Sequence, residues 1–172
     1  MALDPNRWTQ KTQEAINRAL ETAKAESNPE VTSDHLLAAL VRQEEGVVLP
    51  IIQRFLKDIG DGRYDGIPDL GVWWQGTENE SLRKALGLSA DNSGVLITKV
   101  AYGSSAWGHL KEGDALVKLD GVKIGNDGTI PFRDDERIDY SDIVSRRQVG
   151  ETLDAVVARD GRELIVKVRL KP

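Results

Sequence analysis

Along the first 60 residues, apolar positions recur at helical spacing. Trp8, Ala15, Ile16, Ala19, Leu20 and Ala23 follow one another at steps of three and four with Gln, Lys, Glu and Arg between them, which predicts a helix. Ser27-Asn28-Pro29 ends it, because proline disfavours the helical conformation in the residue before it. Thr32 or Ser33 can cap a second helix, with Asp34 in the first turn and Leu36, Leu37, Leu40 and Val41 expected as its buried stripe before Gly46 closes it. A third apolar series, Val47, Val48, Leu49, Ile51, Ile52, Phe55, Leu56 and Ile59, carries Pro50 near its start, where a missing N–H costs little. Three helices in this length make a small all-α module over residues 1–60.

Past a run of turn formers, Asp61-Gly62 and then Tyr64 to Asp69, the period changes. Residues 72–75, 94–100, 115–119, 122–124, 153–158 and 164–170 read as strands, joined by turns at Gly113-Asp114, Asp120-Gly121 and Asp160-Gly161. Residues 80–86 read as a short helix, 104–110 as a helical turn, 125–136 as a polar loop, and 139–147 as a helix with apolar Tyr140, Ile143 and Val144. The expected fold class is α+β, with a second module over residues 61–172.

Composition narrows the function classes. Of 172 residues, 40% are apolar and 30% charged, as in a globular protein with a packed core. The net charge of −5 and the lack of clustered Lys and Arg argue against nucleic acid and anionic membranes as partners. The absence of cysteine excludes disulfides, thiolate zinc sites and a Cys nucleophile. The opening residues show no secretory signal pattern and no apolar run approaches a membrane span, so a cytoplasmic location is expected.

The sharpest local feature is Leu70-Gly71-Val72-Trp73-Trp74-Gln75. A glycine where a loop enters a strand lets backbone N–H groups converge, and such a concavity suits a carboxylate; an ordinary hairpin start is the plainer reading.

Two family resemblances weigh on this. Arg7-Trp8-Thr9, Thr32-Ser33-Asp34-His35-Leu36-Leu37-Ala38-Ala39-Leu40 and Glu44-Glu45-Gly46-Val47-Val48-Leu49-Pro50 resemble the amino-terminal domain of the Hsp100 chaperones ClpB and ClpA. That domain holds two tandem repeats and recruits substrates or adaptors; one repeat is present here. The ATPase is absent, since no Gly-x-x-x-x-Gly-Lys-Ser/Thr stretch occurs. A repeat without its neighbour leaves a wet apolar face, which implies pairing through this module with a second copy of the chain. In the second module, Ser104-Ser105-Ala106, Leu110-Lys111-Glu112-Gly113-Asp114-Ala115-Leu116, Asp120-Gly121 and Gly128-Thr129-Ile130-Pro131-Phe132-Arg133 resemble the circularly permuted PDZ domain of HtrA/Deg serine proteases, a β-sandwich-like unit with two helices.

The second resemblance implies that peptides or protein C-termini add as a strand between the first strand and the long helix. Carried over by position, the peptide-binding residues are Leu70, Gly71, Val72, Trp73 and Trp74, facing Tyr140, Ile143, Val144 and Arg147. One of the two tryptophans is expected to fill the core, and Arg147 is more readily a solvated helix-end cation than a carboxylate anchor.

Catalysis is not expected. Asn92-Ser93-Gly94 lacks the flanking glycines of a protease nucleophile, and His35 and His109 lie in unrelated settings. Asp134-Asp135-Glu136 is read as a solvated loop and not a metal site, and no cofactor is implied. Residues 47–60 resemble both families, with no flexible linker between modules. The leading expectation is therefore a non-enzymatic adaptor. A rigid helix-fusion chimera with no native ligand and a regulatory fragment of an HtrA/Deg protease system are the alternatives.

Overall fold

The computed structural model describes residues 8–44, 46–88, 92–133 and 135–172. Arg7, Glu45 and Asp134, named above within motifs, lie outside them. The chain divides into two compact units, Met1–Gly62 and Arg63–Pro172.

The first unit contains α1 (Gln10–Ala25), α2 (Ser33–Val41) and α3 (Val48–Asp58), followed by a single 3-10 turn. Thr9 caps α1, its side chain accepting from the Thr12 N–H, and Ala15, Ala19 and Ala23 form its buried stripe. These small side chains, four residues apart, let a neighbouring helix approach closely. From α2 the buried residues are His35 and Ala39. The His35 ring is fully engaged: Nδ1 accepts from the Thr32 N–H at 3.0 Å, and Nε2 lies 3.3 Å from Glu26 Oε2 and 2.9 Å from Asn28 Nδ2. That engagement sets which face of α2 turns inward.

The expected leucine stripe is corrected as a result. Leu36 and Leu37 are exposed, while Leu40 and Val41 are half-buried. In α3 the residue buried is Asp58, and Ile51 and Leu56 remain more than half exposed.

The strands of the second unit's main sheet are β1 (Val72–Gly76), β2 (Val95–Val100), β3 (Ala115–Leu119), β4 (Val122–Lys123), β7 (Thr152–Arg159) and β8 (Arg162–Arg169). They form an antiparallel sheet of order β1-β2-β3-β7-β8, with β4 paired to β3. A short α4 (Glu80–Ala85), capped by the Asn79 side chain, lies between β1 and β2. Val95, Ile97, Leu116, Leu119, Leu153, Val157 and Val168 project into one core together with Leu70, Ile124, Tyr140 and Leu170.

Two expectations are revised. Residues 125–136 are not simply a polar loop: β5 (Thr129–Arg133) and β6 (Glu136–Asp139) form a separate ribbon that pairs Ile130 with Ile138. Pro131 masks this in the sequence, since proline cannot donate to a ladder and is tolerated only where a neighbour is missing, as in a two-stranded ribbon. The expected helix over residues 139–147 is α5, Ser141–Ser145, because Asp139 belongs to β6 and Tyr140 is the cap.

Candidate peptide-binding groove

The segment before β1 is held from three sides. The Asp69 N–H donates to the Lys171 carbonyl at 3.2 Å, the Ala106 N–H donates to the Leu70 carbonyl at 2.9 Å, and the Ala101 N–H donates to the Gly71 carbonyl at 2.8 Å. Ser105, itself buried, donates its hydroxyl to the Asp69 carbonyl and accepts from the Lys171 N–H at 2.8 Å. Gly71 has φ +69°, and a Cβ there would fall 2.3 Å from Ser104 Cβ, so only glycine closes this turn.

The rest of the signature is structural in the same sense. The Asp114 carboxylate is buried, accepts from the Lys111 N–H at 2.8 Å and pairs with Arg159 through two contacts of 2.7 Å. Asp120 accepts from the Asp154 N–H at 2.9 Å and from Arg147.

Among the described residues β1 has a ladder partner on one side, β2, and ends the sheet order on the other. Beside it lies a cavity of about 210 Å³ lined by Asp69, Leu70, Val72, Trp74, Asp139, Tyr140, Ser141 and Val144. Alternation along β1 decides the tryptophans. Val72 and Trp74 are half-buried toward the core and cavity, whereas Trp73 is 54% exposed with Lys99 Nζ 5.0 Å from its ring centre. Trp74 packs against Tyr140, ring centres 5.7 Å apart, and its six-membered ring presses on Gly128, where φ is +78° and a Cβ would come within 2.2 Å.

Of the nine residues expected from sequence, Leu70, Val72, Trp74, Tyr140 and Val144 meet around this cavity. Gly71 shapes the turn that precedes it. Trp73 faces outward, Ile143 packs on the core, and Arg147 is drawn to Asp120 and to Glu151, the latter at 3.7 Å. Sequence reasoning missed Asp139 and Ser141 because residue 139 was assigned to a helix.

Both lining carboxylates are themselves engaged. Asp69 accepts the Gly71 N–H, and Asp139 Oδ1 accepts the Ser141 N–H at 2.8 Å. Burial raises the Tyr140 phenol well above its usual ionisation range, and Asp139 and then Asp69 add to the effect. Among the described residues no cluster of acidic or histidine side chains could hold a metal, and no helix is long and apolar enough to cross a membrane.

Comparison with known proteins gives two signals. Residues 7–63 match the Clp repeat (R) N-terminal domain family, and a 45-residue stretch is 47% identical to the chaperone protein ClpB of Corynebacterium diphtheriae, covering 26% of this chain and 5% of that one. Protease Do-like 2, chloroplastic, of Arabidopsis thaliana is 38% identical over 130 residues, 74% of this chain and 21% of the protease. Putative protease Do-like 11, mitochondrial, of the same plant is 36% identical over 132 residues, 75% of this chain and 24% of that one. The chain thus spans roughly a quarter or less of the Do-like proteases it matches. Any contiguous stretch covering 74% of 172 residues must include α3, which the Clp family match also covers. Among solved structures, an HtrA-type protease AlgW variant with decapeptide superposes with a TM-score of 0.51 at 22% identity, over 72% of this chain and 35% of that one, in agreement with the fold. The chain therefore carries one repeat of the Clp amino-terminal type at residues 7–63 and a second part of the HtrA/Deg PDZ type.

Proposed function

We propose that this chain is a non-enzymatic adaptor whose PDZ unit binds extended peptide segments by strand addition along β1. The observation that carries this reading is that β1, among the described residues, ends the sheet order beside a cavity in which Val72, Trp74, Tyr140 and Val144 meet Asp69, Asp139 and Ser141. Backbone bonds along the edge supply affinity, and the cavity, below the roughly 300–1,000 Å³ of small-molecule pockets, receives ligand side chains. Among the described residues, Ser93 donates to the Ile124 carbonyl at 2.6 Å and His35 is spent on capping α2, which fits a non-enzymatic reading. Hydrogen exchange of the full chain against a library of extended peptides tests the reading. Protection concentrated in β1 and α5 supports it, and protection elsewhere or none contradicts it.

The helical repeat supplies a second contact surface. Leu37, Ile51 and Leu56 of α2 and α3 are each more than half exposed, and self-pairing would cover them. A monomer mass unchanged across a wide concentration range would exclude self-pairing. A second reading, a regulatory part of a Do-like protease system, is compatible with the share of those proteases that the chain spans. Copurification with a protease barrel would support it.

A further inference from the structure

A groove that recognises a free chain terminus needs unclaimed N–H donors, or a cation, at its closed end. This one offers acid instead. Its charged lining residues are Asp69 and Asp139, and each carboxylate already caps a backbone amide, Gly71 and Ser141 respectively, that an incoming carboxylate would have to win. Two cations on the neighbouring segments are committed elsewhere. Arg147 pairs with Asp120 and Glu151, and Lys171 Nζ donates to the Gly103 carbonyl at 3.0 Å. A ligand carboxylate at this end would meet two like charges, while an ammonium or guanidinium would meet two opposite ones.

We infer that the groove selects an extended segment in which a lysine or arginine lies beside apolar residues, bound without a free terminal carboxylate. The inference rests on strand addition at β1 and names the ligand's chemistry. The backbone adds to the open edge, an apolar side chain enters between Trp74 and Val144, and the basic side chain reaches the rim carboxylates of Asp69 and Asp139. Because both carboxylates are exposed, each contact contributes about two- to fivefold in affinity, and raised salt weakens it.

The test uses the full chain and fluorescent eight-residue apolar peptides with one arginine, each made as free acid and as amide, and again with glutamine for arginine. The amide is expected to bind at least as tightly as the acid, and the arginine peptide several-fold tighter than the glutamine peptide at low salt. Asp69→Asn and Asp139→Asn keep an oxygen for the Gly71 and Ser141 amides, so in the double variant the arginine advantage should disappear with the fold intact. A tenfold preference for the free acid, or equal binding of arginine and glutamine peptides, overturns the basic-segment inference and leaves strand addition standing. No binding by any peptide overturns both.

Discussion

Gly128→Ala tests the cavity wall. Two penalties arise and can be separated. A left-handed backbone at φ +78° costs an L-residue about 1–2 kcal/mol. The new Cβ would also sit 2.2 Å from Trp74 Cη2 and 2.7 Å from Cζ2, so the ring, held on its other side by Tyr140, must leave its place at about 1–3 kcal/mol. Gly121→Ala isolates the first penalty, since φ there is +81° and nothing lies within 4 Å of the added Cβ. With a urea dependence of about 2 kcal/mol per molar, the unfolding midpoint of the PDZ unit should fall about 0.5–1.5 M further in Gly128→Ala than in Gly121→Ala. Far-UV ellipticity reads the midpoint, with the two units fitted as separate transitions, and near-UV ellipticity reads the Trp74–Tyr140 pair. Trp74→Phe in the Gly128→Ala background removes the clashing ring, so the two changes together should cost less than their sum. Equal losses in Gly128→Ala and Gly121→Ala would show that Trp74 does not press on this loop, and the cavity as described would be wrong.

Asp114→Asn removes the carboxylate charge that Arg159 pairs with, leaving its bond to the His109 carbonyl; with Arg159 partly exposed, the loss should be about 2–4 kcal/mol, read as a urea midpoint. Tyr140 stays neutral in the folded state above the pH at which an unfolded phenol ionises, about 10, so stability should fall as pH rises past that value; Tyr140→Phe should flatten the alkaline limb, and an unchanged limb would refute this. If the helical repeat self-pairs, Ile51→Glu with Leu56→Glu should abolish any concentration-dependent rise in sedimentation mass while leaving helicity intact.

Strand positions were legible because the β-rich half alternates and punctuates itself with Asp-Gly turns: Asp120 and Asp160 do take positive φ, at 46° and 51°. What periodicity could not supply was partner identity. In α2, Leu36 and Leu37 outrank His35 and Ala39 on any hydrophobicity scale, yet the inward face belongs to His35, whose ring satisfies the Thr32 amide, and to an alanine small enough for close helix packing. In β5 and β6 the signal lay in one cross-strand pair, Ile130 with Ile138, hidden by Pro131 and the acidic residues after it.

The same division explains why family resemblance speaks to architecture more than to ligand. Ser105, Ala106, Asp114 and Asp120 act on Asp69, Leu70, Arg159 and Arg147, and none of the four lines the cavity. Ser105 and Ala106 fix the turn that delivers β1, while Asp114 and Asp120 tie down Arg159 and Arg147 elsewhere in the unit. Under the proposed strand addition, selectivity would fall to Trp74, Asp139 and Val144, cavity positions outside the signature, and to Asp69, whose carboxylate also caps the Gly71 amide of that turn. A binding preference in this fold is therefore to be sought in the residues the motif leaves unspecified, and here two of those four are acids.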